Sequence, residues 1–311
     1  MSSLNLRGII PATVLPMTDD YKPDLKALGL YLNWVIEQGP VALAINVDTG
    51  EGPHLSDAER RDVLEAAVAA AAGRVSIVAG IGGPYTEAAI RQARDARAAG
   101  ADAIMIFPIP VFQGRPLYPE IPYEYHKAIA RAVDLPMILF QLQPALGGVE
   151  YTPEALRKLL EIDTVVAIKE ASFDAMTFVR TRSIVKAARP DVVYLTGNDN
   201  FILHSFILGA EGALIGFGTL ATNRQVQMFN AAVRREYDQA FRLSDIVQPL
   251  ADVIFAQPVP NYRARTKEAL VMQGVIERAT VRPPLLPISS AERIVVRHAL
   301  ERAGFLEPAH A

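Results

Sequence analysis

Short apolar runs alternate with longer segments of helical periodicity along most of the chain. This alternation is typical of a parallel sheet whose strands are connected by helices. The strand candidates are GIIPATV (8–14), VALAIN (41–46), VSIVAG (75–80), DAIMIF (102–107), PMILF (136–140), TVVAIK (164–169), VVYLT (192–196) and GALIGF (212–217).

The segments between these runs carry signals for where helices begin and end. SDAERRDVLEAAVAAAAG begins with a Ser/Asp cap and stops at Gly73, and TEAAIRQARDARAAG begins at Thr86, with Glu87 in its first turn, and stops at Gly100. Eight strand–helix units in about 240 residues favour an α/β fold of the (β/α)₈ TIM barrel type over an open doubly wound sheet.

The last part of the chain predicts helices without strands. It contains the proline-rich connector TVRPPLLPISS (280–290) and a final helical segment, AERIVVRHALERAG. We therefore predict a barrel over residues 1–238 and a C-terminal helical region over residues 239–311.

Composition narrows the classes of function. The net charge is −3 and no long basic run occurs, which argues against a nucleic-acid partner. The chain has no cysteine, so disulfides and cysteine nucleophiles are excluded, and its five histidines are too dispersed to predict a metal site. The N-terminus lacks the pattern of a signal peptide, and no apolar run reaches about 18 residues. We expect a cytoplasmic protein that does not interact with a membrane.

Lys169 ends the apolar run of the sixth strand candidate. Strand residues alternate between the barrel interior and the helix layer, so Val165, Ala167 and Lys169 are predicted to share the inner face. Catalytic groups of such barrels lie at the C-terminal ends of strands. Burial there would lower the pKa of the amine and make it a nucleophile toward a carbonyl carbon. The alternative is a structural lysine paired with Glu170 or another carboxylate.

Several motifs resemble one family of enzymes. VVAIKEAS (165–172) resembles the Schiff-base lysine segment of the dihydrodipicolinate synthase / N-acetylneuraminate lyase family of class I aldolases, and INVDTGEGPHLSDAER (45–60) resembles its TGE loop after strand two. Further similar segments follow in the family's order: AGADAIMIFPIP, TGNDNFILHSFILGAEGALIG and RPPLLPISSAERIVVRHALERAG.

The resemblance implies a TIM barrel with C-terminal helices that assembles as a homo-oligomer, a tetramer or dimer, and works without metal or organic cofactor. It implies a lyase that acts on a small oxo acid or aldehyde, often pyruvate, through an imine on Lys169 that serves as an electron sink. The substrate-binding residues that it implies are Asp48, Thr49, Gln141, Gly197 and Leu214.

The sequence departs from this family where protons would be transferred. The strand-five tyrosine of the family falls at Phe140, which has no hydroxyl and can be neither acid nor base. The paired tyrosines after strand four fall at Ile109 and Pro110, so the tyrosine relay, including the part from a neighbouring subunit, is missing. Tyr118 or Tyr123 could compensate for it.

Asp48 takes the place of the first hydroxyl residue of the TGE loop. An ionised Asp48 about 4 Å from a substrate carboxylate would be repelled by roughly 4 kcal/mol, whereas loss of one hydroxyl hydrogen bond costs only about 1–3 kcal/mol. Three readings remain. Asp48 turns away and leaves backbone N–H groups to bind the carboxylate, or it replaces the tyrosine as general base, or it faces a cationic or uncharged substrate.

The segment QLQPALGG (141–148) lacks the arginine with which dihydrodipicolinate synthases bind a second carboxylate, so that activity is disfavoured. Our first hypothesis is a Schiff-base aldolase or dehydratase acting on a 2-oxo acid with a mostly neutral distal portion. The second is a catalytically impaired barrel that serves as a small-molecule binding or regulatory protein, and a third is chemistry without an imine. Asp199 and Asn200 are expected to cap the helix after strand seven.

Overall fold

The computed structural model describes residues 4–113 and 117–307. Within these residues, eight parallel strands alternate with helices to form a TIM barrel, and further helices follow at the C-terminal end. The strands are β1 (Ile9–Pro11), β2 (Ala42–Ile45), β3 (Ser76–Ile81), β4 (Ala103–Ile106), β5 (Met137–Leu142), β6 (Val165–Ala171), β7 (Val193–Thr196) and β8 (Gly212–Ile215).

The helices cover the outside of the barrel and its C-terminal end. They are α1 (Leu25–Ile36), α2 (Asp57–Ala71), α3 (Thr86–Ala98), α4 (Glu120–Val133), α5 (Pro153–Leu159), α6 (Ala175–Ala188), α7 (Ile202–Ile207), α8 (Thr222–Val233), α9 (Tyr237–Ile254), α10 (Tyr262–Met272) and α11 (Ser290–Arg302). None of these helices is long and apolar enough to cross a bilayer.

The sheet closes between its first two strands. Neighbouring strands are hydrogen-bonded in the order β1-β8-β7-β6-β5-β4-β3-β2. Across the remaining gap, Ala12 and Ala44 form an isolated parallel bridge, and the Val41 N–H donates to the Ile9 carbonyl at 3.0 Å. The C-terminal ends of all eight strands therefore surround one opening.

The predicted barrel and all eight strand positions are confirmed, although most strands are shorter than their apolar runs. Helix α2 begins after a capping box formed by Ser56 and Glu59, and the chain leaves it through Gly73 at φ +74°. Helix α3 begins at Thr86 as predicted and ends at Ala98, just before Gly100 at φ +91°.

Strand β6 differs from the prediction in two ways. It continues to Ala171, so Lys169 is not its last residue. Its register with β5 shifts after Val165, which pairs with Met137, whereas Ala167 pairs with Ile138. This irregularity inserts one extra residue. Val165 consequently packs between sheet and helices, while Ala167 lies inside the barrel, so the predicted common face of Val165 with Ala167 and Lys169 is wrong.

The C-terminal helices pack on one another and on the last barrel helix. Helix α9 packs against α8, and α11 packs against both α9 and α10. The predicted boundary between residues 238 and 239 falls inside α9, and the division of the chain at that point stays a prediction.

A buried ion pair fastens α10 to the loop after β2. The Lys267 amine donates to the Glu51 carboxylate and to the Thr280 carbonyl, the latter at 2.6 Å. The Arg282 N–H donates to the other Glu51 oxygen at 2.7 Å. The side chains of Lys267 and Glu51 are both fully buried. The loop that follows β2 is therefore held from the C-terminal helices, more than 200 residues away in sequence.

We predict that Lys267→Met destabilises the fold, because it leaves the Glu51 carboxylate buried without its countercharge. Loss of one partner of a buried pair costs about 3–5 kcal/mol. Urea unfolding followed by circular dichroism measures the change. The matched control is Lys158→Met, which removes the exposed pair with Glu120 at 2.7 Å and should change stability far less. Equal losses in the two variants would contradict the importance of the Lys267 pair.

Candidate active site

A cavity of about 500 Å³ opens at the C-terminal ends of the strands. Its lining comes from the residues that end or follow β1, β2, β4, β5, β6, β7 and β8, and from the segment around the start of α10. The lining residues include Asp48, Thr49, Phe107, Phe140, Leu142, Gln143, Ala145, Leu146, Lys169, Phe173, Gly197, Asp199, Tyr262 and Arg263.

Lys169 projects into this cavity from β6. Its amine lies 4.3 Å from the centroid of the Phe140 ring, and its stem lies against Gly197, where an added Cβ would be 2.5 Å from Lys169 Cε. Burial lowers the pKa of the amine to about 8, although the charges of Asp199 and Asp48 act in the opposite direction. With that pKa, about one amine in ten is neutral at pH 7, against about one in a few thousand for an ordinary lysine.

Glu170 does not serve as the partner of Lys169. Its carboxylate accepts hydrogen bonds from the Ser172 N–H at 3.0 Å and from Asn198 Nδ2 at 2.9 Å, on the opposite face of β6. Among the described residues, 4–113 and 117–307, no carboxylate oxygen lies within 4.0 Å of the Lys169 amine nitrogen. The alternative from the sequence, in which Lys169 is a structural lysine paired with Glu170, is therefore wrong.

Phe140 forms the wall beneath the amine. Its ring meets that of Phe107 edge to face, with centroids 5.1 Å apart. The position at which the family carries a tyrosine is thus filled by an apolar ring that packs against another apolar ring.

Asp48 is held by two residues of α10. Its carboxylate accepts hydrogen bonds from the Arg263 guanidinium and, at 2.9 Å, from the Tyr262 hydroxyl. The Asp48 carbonyl accepts a further bond from Arg263 Nε at 2.8 Å. The positive charge of Arg263 offsets the negative charge of Asp48, which weakens the repulsion expected toward a substrate carboxylate.

Thr49 belongs to the same cluster, because its hydroxyl lies 3.2 Å from that of Tyr262. Burial, followed by the charge of Asp48, holds the pKa of Tyr262 well above its ordinary value. The sequence reasoning missed Tyr262 and Arg263. No local pattern marks them, since their contacts with Asp48 span 214 and 215 residues.

Asp199 is a second carboxylate of the cavity. Its Oδ1 accepts a hydrogen bond from the Phe217 N–H at 2.8 Å, and burial raises the pKa of the carboxyl to about 6. The expectation that Asp199 and Asn200 cap the following helix is wrong. The N-cap of α7 is Phe201, without a side-chain cap, and Asn200 donates instead to the Phe173 carbonyl at 3.1 Å. The end of β8 offers Asp199 the backbone donor that it would otherwise find in the helix.

Two other predicted substrate-binding residues lie outside the cavity. Gln141 follows Phe140 in an extended strand and therefore faces the helix layer, where its amide donates to Thr181 at 3.2 Å and accepts from the Tyr151 N–H at 3.2 Å. Leu214 is buried in the barrel interior below the opening. The structure brings Lys169, Asp48, Thr49, Phe140 and Gly197 together at the cavity, but not Gln141 or Leu214.

The tyrosines considered as substitutes for the relay are also elsewhere. Tyr118 is exposed, and the Tyr123 hydroxyl accepts a hydrogen bond from Lys127 at 2.9 Å. Neither lines the cavity. Residues 114–116 of the loop before them lie outside the described residues. In the described part of the chain, no group of three or more His, Asp or Glu side chains is placed to bind a metal ion.

Comparison with known proteins identifies the family. Residues 5–303 match the model of the dihydrodipicolinate synthetase family. The 4-hydroxy-tetrahydrodipicolinate synthase of Alcanivorax borkumensis is 34% identical over 304 residues, which are 97% of this chain and 99% of that protein.

Solved structures agree with this match. The structure of dihydrodipicolinate synthase from Acinetobacter baumannii complexed with pyruvate superposes with a TM-score of 0.86 at 30% identity, covering 97% of this chain and 100% of that one. The enzyme from Thermotoga maritima gives a TM-score of 0.89 at 25% identity, with coverage of 97% and 99%. The chain belongs to the dihydrodipicolinate synthetase family and is a lyase of that family.

Proposed function

We propose that this protein is a Schiff-base lyase, an aldolase or dehydratase, that acts on a pyruvate-type 2-oxo acid through an imine on Lys169. The observation that carries the proposal is the Lys169 amine, which lies in the cavity, has no carboxylate partner in the described part of the chain, and has a pKa lowered to about 8. A relative complexed with pyruvate, the enzyme of Acinetobacter baumannii, supports the substrate class.

The loop after β2 is suited to bind the substrate carboxylate. Among the described residues, no group accepts a hydrogen bond from the backbone N–H of Thr49 or Gly50, so both remain as donors beside the Thr49 hydroxyl. Since Asp48 is engaged by Arg263 and Tyr262, the first of its three readings is favoured: backbone groups bind the carboxylate while the Asp48 side chain is occupied.

In the proposed reaction, the neutral Lys169 amine attacks the ketone carbon of the 2-oxo acid, and uptake of one proton with loss of water gives the protonated imine. This imine withdraws electrons from carbon 3, so that a bond at carbon 3 or carbon 4 can break or form. Hydrolysis then releases the product and restores the amine.

A carboxylate takes over proton transfer in this proposal, because Phe140 cannot. Asp199 is the favoured candidate, because the pKa of about 6 that burial gives its carboxyl suits proton exchange near neutral pH. Asp48, the base considered from the sequence, is already engaged by Tyr262 and Arg263.

We further propose that the chain is not a true dihydrodipicolinate synthase. The segment after β5 presents Gln143, Ala145 and Leu146 to the cavity, and none of them can pair with a second carboxylate. The relatives that carry the synthase name leave this narrower question open. A binding or regulatory role without turnover is the second candidate, and the missing hydroxyl at Phe140 favours it. A homo-oligomeric state, tetramer or dimer, and a cytoplasmic location stay predictions from the sequence.

We predict that sodium borohydride in the presence of pyruvate attaches a reduced adduct to the Lys169 peptide, measured by mass spectrometry after digestion. Lys169→Met should abolish the adduct, because the amine is the reacting group. Lys158→Arg, which changes an exposed lysine outside the cavity, serves as the control and should keep it. An adduct that persists in Lys169→Met, or none across a panel of 2-oxo acids, would refute the imine. Turnover of any panel member would remove the binding-protein alternative.

We predict that the Lys169 amine titrates with a midpoint near pH 8, because burial disfavours its charged form. Only the neutral amine reacts with acetic anhydride, so competitive acetylation of the Lys169 peptide should rise about tenfold per pH unit below the midpoint and level off above it. The Lys158 peptide of the same sample is the internal control, since its bond to Glu120 raises the pKa of that amine. Coincident profiles for the two peptides would contradict the prediction.

We predict that Gly197→Ala slows pyruvate-dependent trapping by at least about tenfold, because a Cβ 2.5 Å from Lys169 Cε forces the lysine stem aside. The same Cβ would lie 2.9 Å from Ala171 Cβ, which cannot rotate aside, so we expect a lower melting temperature as well. Trapping is therefore compared at a temperature at which circular dichroism shows both variants folded. Gly29→Ala is the matched control, because a Cβ at Gly29 meets no atom within 4 Å. Unchanged trapping in Gly197→Ala would show that the stem does not need this space.

A further inference from the structure

The cavity has two chemically different sides. Asp48 and Thr49 from the β2 loop, together with Tyr262 and Arg263 from α10, form a hydrogen-bonded polar side. The opposite side comes from β4, β5 and β6, which are neighbours in the sheet. A substrate that places its carboxylate at the polar side must direct its other end toward the second side.

That second side, the aromatic wall, consists of the rings of Phe107, Phe140 and Phe173 and the aliphatic side chain of Leu142. The rings of Phe107 and Phe140 meet edge to face at 5.1 Å, and the Lys169 amine lies 4.3 Å from the Phe140 centroid. Phe107 and Phe173 are only partly buried, so their rings offer apolar surface to the cavity. The atoms of a substrate that lie next to the imine carbon would therefore contact rings rather than charges.

Phe173 is held in a backbone conformation that a bulky residue rarely adopts. Its φ is +59°, in the left-handed region that favours glycine. Two asparagines fix it there: Asn198 Oδ1 accepts from the Phe173 N–H at 2.6 Å, and Asn200 Nδ2 donates to its carbonyl at 3.1 Å. These two hydrogen bonds hold the strained backbone, and the ring that it positions lines the cavity.

Among the described residues that line the cavity, Lys169 and Arg263 are the only cations, and neither belongs to the aromatic wall. The Arg263 guanidinium is already bonded to the carboxylate and the carbonyl of Asp48. The loop beside the wall adds Gln143, Ala145 and Leu146, which are uncharged. Against these described residues, a distal carboxylate would lose its hydration without gaining an ion pair, whereas an apolar group would gain contact area.

We propose that the distal group of the substrate is an aromatic or branched apolar substituent, so that the reaction joins pyruvate to an apolar aldehyde or cleaves the corresponding 4-hydroxy-2-oxo acid. The assignment rests on the imine function proposed above. Carbon 3 of the lysine-bound pyruvate loses a proton to give the enamine, and then forms a bond to the aldehyde carbon. The aldehyde oxygen takes up a proton and becomes the 4-hydroxyl group. Water then hydrolyses the imine, and no oxidant or reductant is needed.

The first test separates the preference of the cavity from imine chemistry. 2-Hydroxy-4-phenylbutanoate and 2-hydroxyglutarate carry no ketone and cannot form an imine, and they differ only in whether carbon 4 bears a phenyl ring or a carboxylate. Calorimetry should give a dissociation constant at least about tenfold lower for the phenyl compound. Equal or tighter binding of the dicarboxylate would overturn the proposal.

Phe173→Gly tests the wall itself. The variant should reduce the phenyl preference at least about fivefold. Its melting temperature should change modestly, because relief of the positive φ opposes the loss of the ring's packing against the barrel interior. Tyr21→Gly is the matched control: Tyr21 also has a positive φ, +64°, but lies outside the cavity, so the preference should be unchanged. A preference that survives Phe173→Gly would overturn the role of this ring.

Turnover completes the test. With pyruvate as donor, benzaldehyde should react with at least about tenfold higher kcat/KM than succinic semialdehyde, whose distal group is a carboxylate. Trapping of pyruvate on Lys169 combined with the opposite aldehyde preference would overturn the inference and leave the imine function standing. A phenyl preference in calorimetry without any trapped adduct would refute the imine function and, with it, the aldol reaction, but not the apolar character of the wall.

Discussion

The ion pair between Lys267 and Glu51 is the interaction on which the geometry of the active site depends. Removing two charges from water costs several kcal/mol per ion, so the pair is favourable only while both partners remain in contact and their other hydrogen bonds are made. Thr280 and Arg282 supply those bonds. The pair fixes α10 against the loop after β2, and this contact brings Tyr262 and Arg263 to Asp48 and Thr49. The C-terminal helices therefore form part of the active site.

The lysine on the other side of the cavity obeys a different constraint. Lys267 lies in direct contact with the Glu51 carboxylate, whereas Lys169 contacts Phe140 and Gly197 and has no carboxylate among the described residues in direct contact. Burial lowers the pKa of both amines, but only Lys169 lines a cavity that a substrate can enter. The same physical effect thus gives a structural lysine at one site and a candidate nucleophile at the other, according to what lies next to each amine.

The sequence predicted the parts of this arrangement that depend on local pattern. Alternating apolar runs located the eight strands, and a lysine at the end of one run located the candidate nucleophile. The β-bulge in β6 was not predictable, because Val165 and Val166 are equally apolar and the register is set by pairing with β5. Gln141 was expected at the cavity because it belongs to the segment QLQPALGG after strand five. Side chains alternate between the two faces of a strand, however, so Gln141 points toward Thr181 while its neighbour Phe140 lines the cavity. Arg263 was missed because its role depends on a contact with Asp48, which is 215 residues away in the sequence.

Phe140 and Phe173 share one explanation, which is that both add apolar surface to the cavity. Taken alone, a phenylalanine at the tyrosine position reads as the loss of a proton donor, which favours a barrel without turnover. Phe173, whose φ is +59°, is harder to explain as the loss of a functional group. Glycine at that position would relieve the strain and keep both asparagine hydrogen bonds, because these bonds are made to backbone atoms of Phe173. A strained aromatic residue that lines the same cavity is therefore better explained by the apolar surface that its ring provides. On this argument we propose that Phe140 contributes apolar surface to substrate binding in addition to lacking a hydroxyl, and that Asp199 takes over proton transfer.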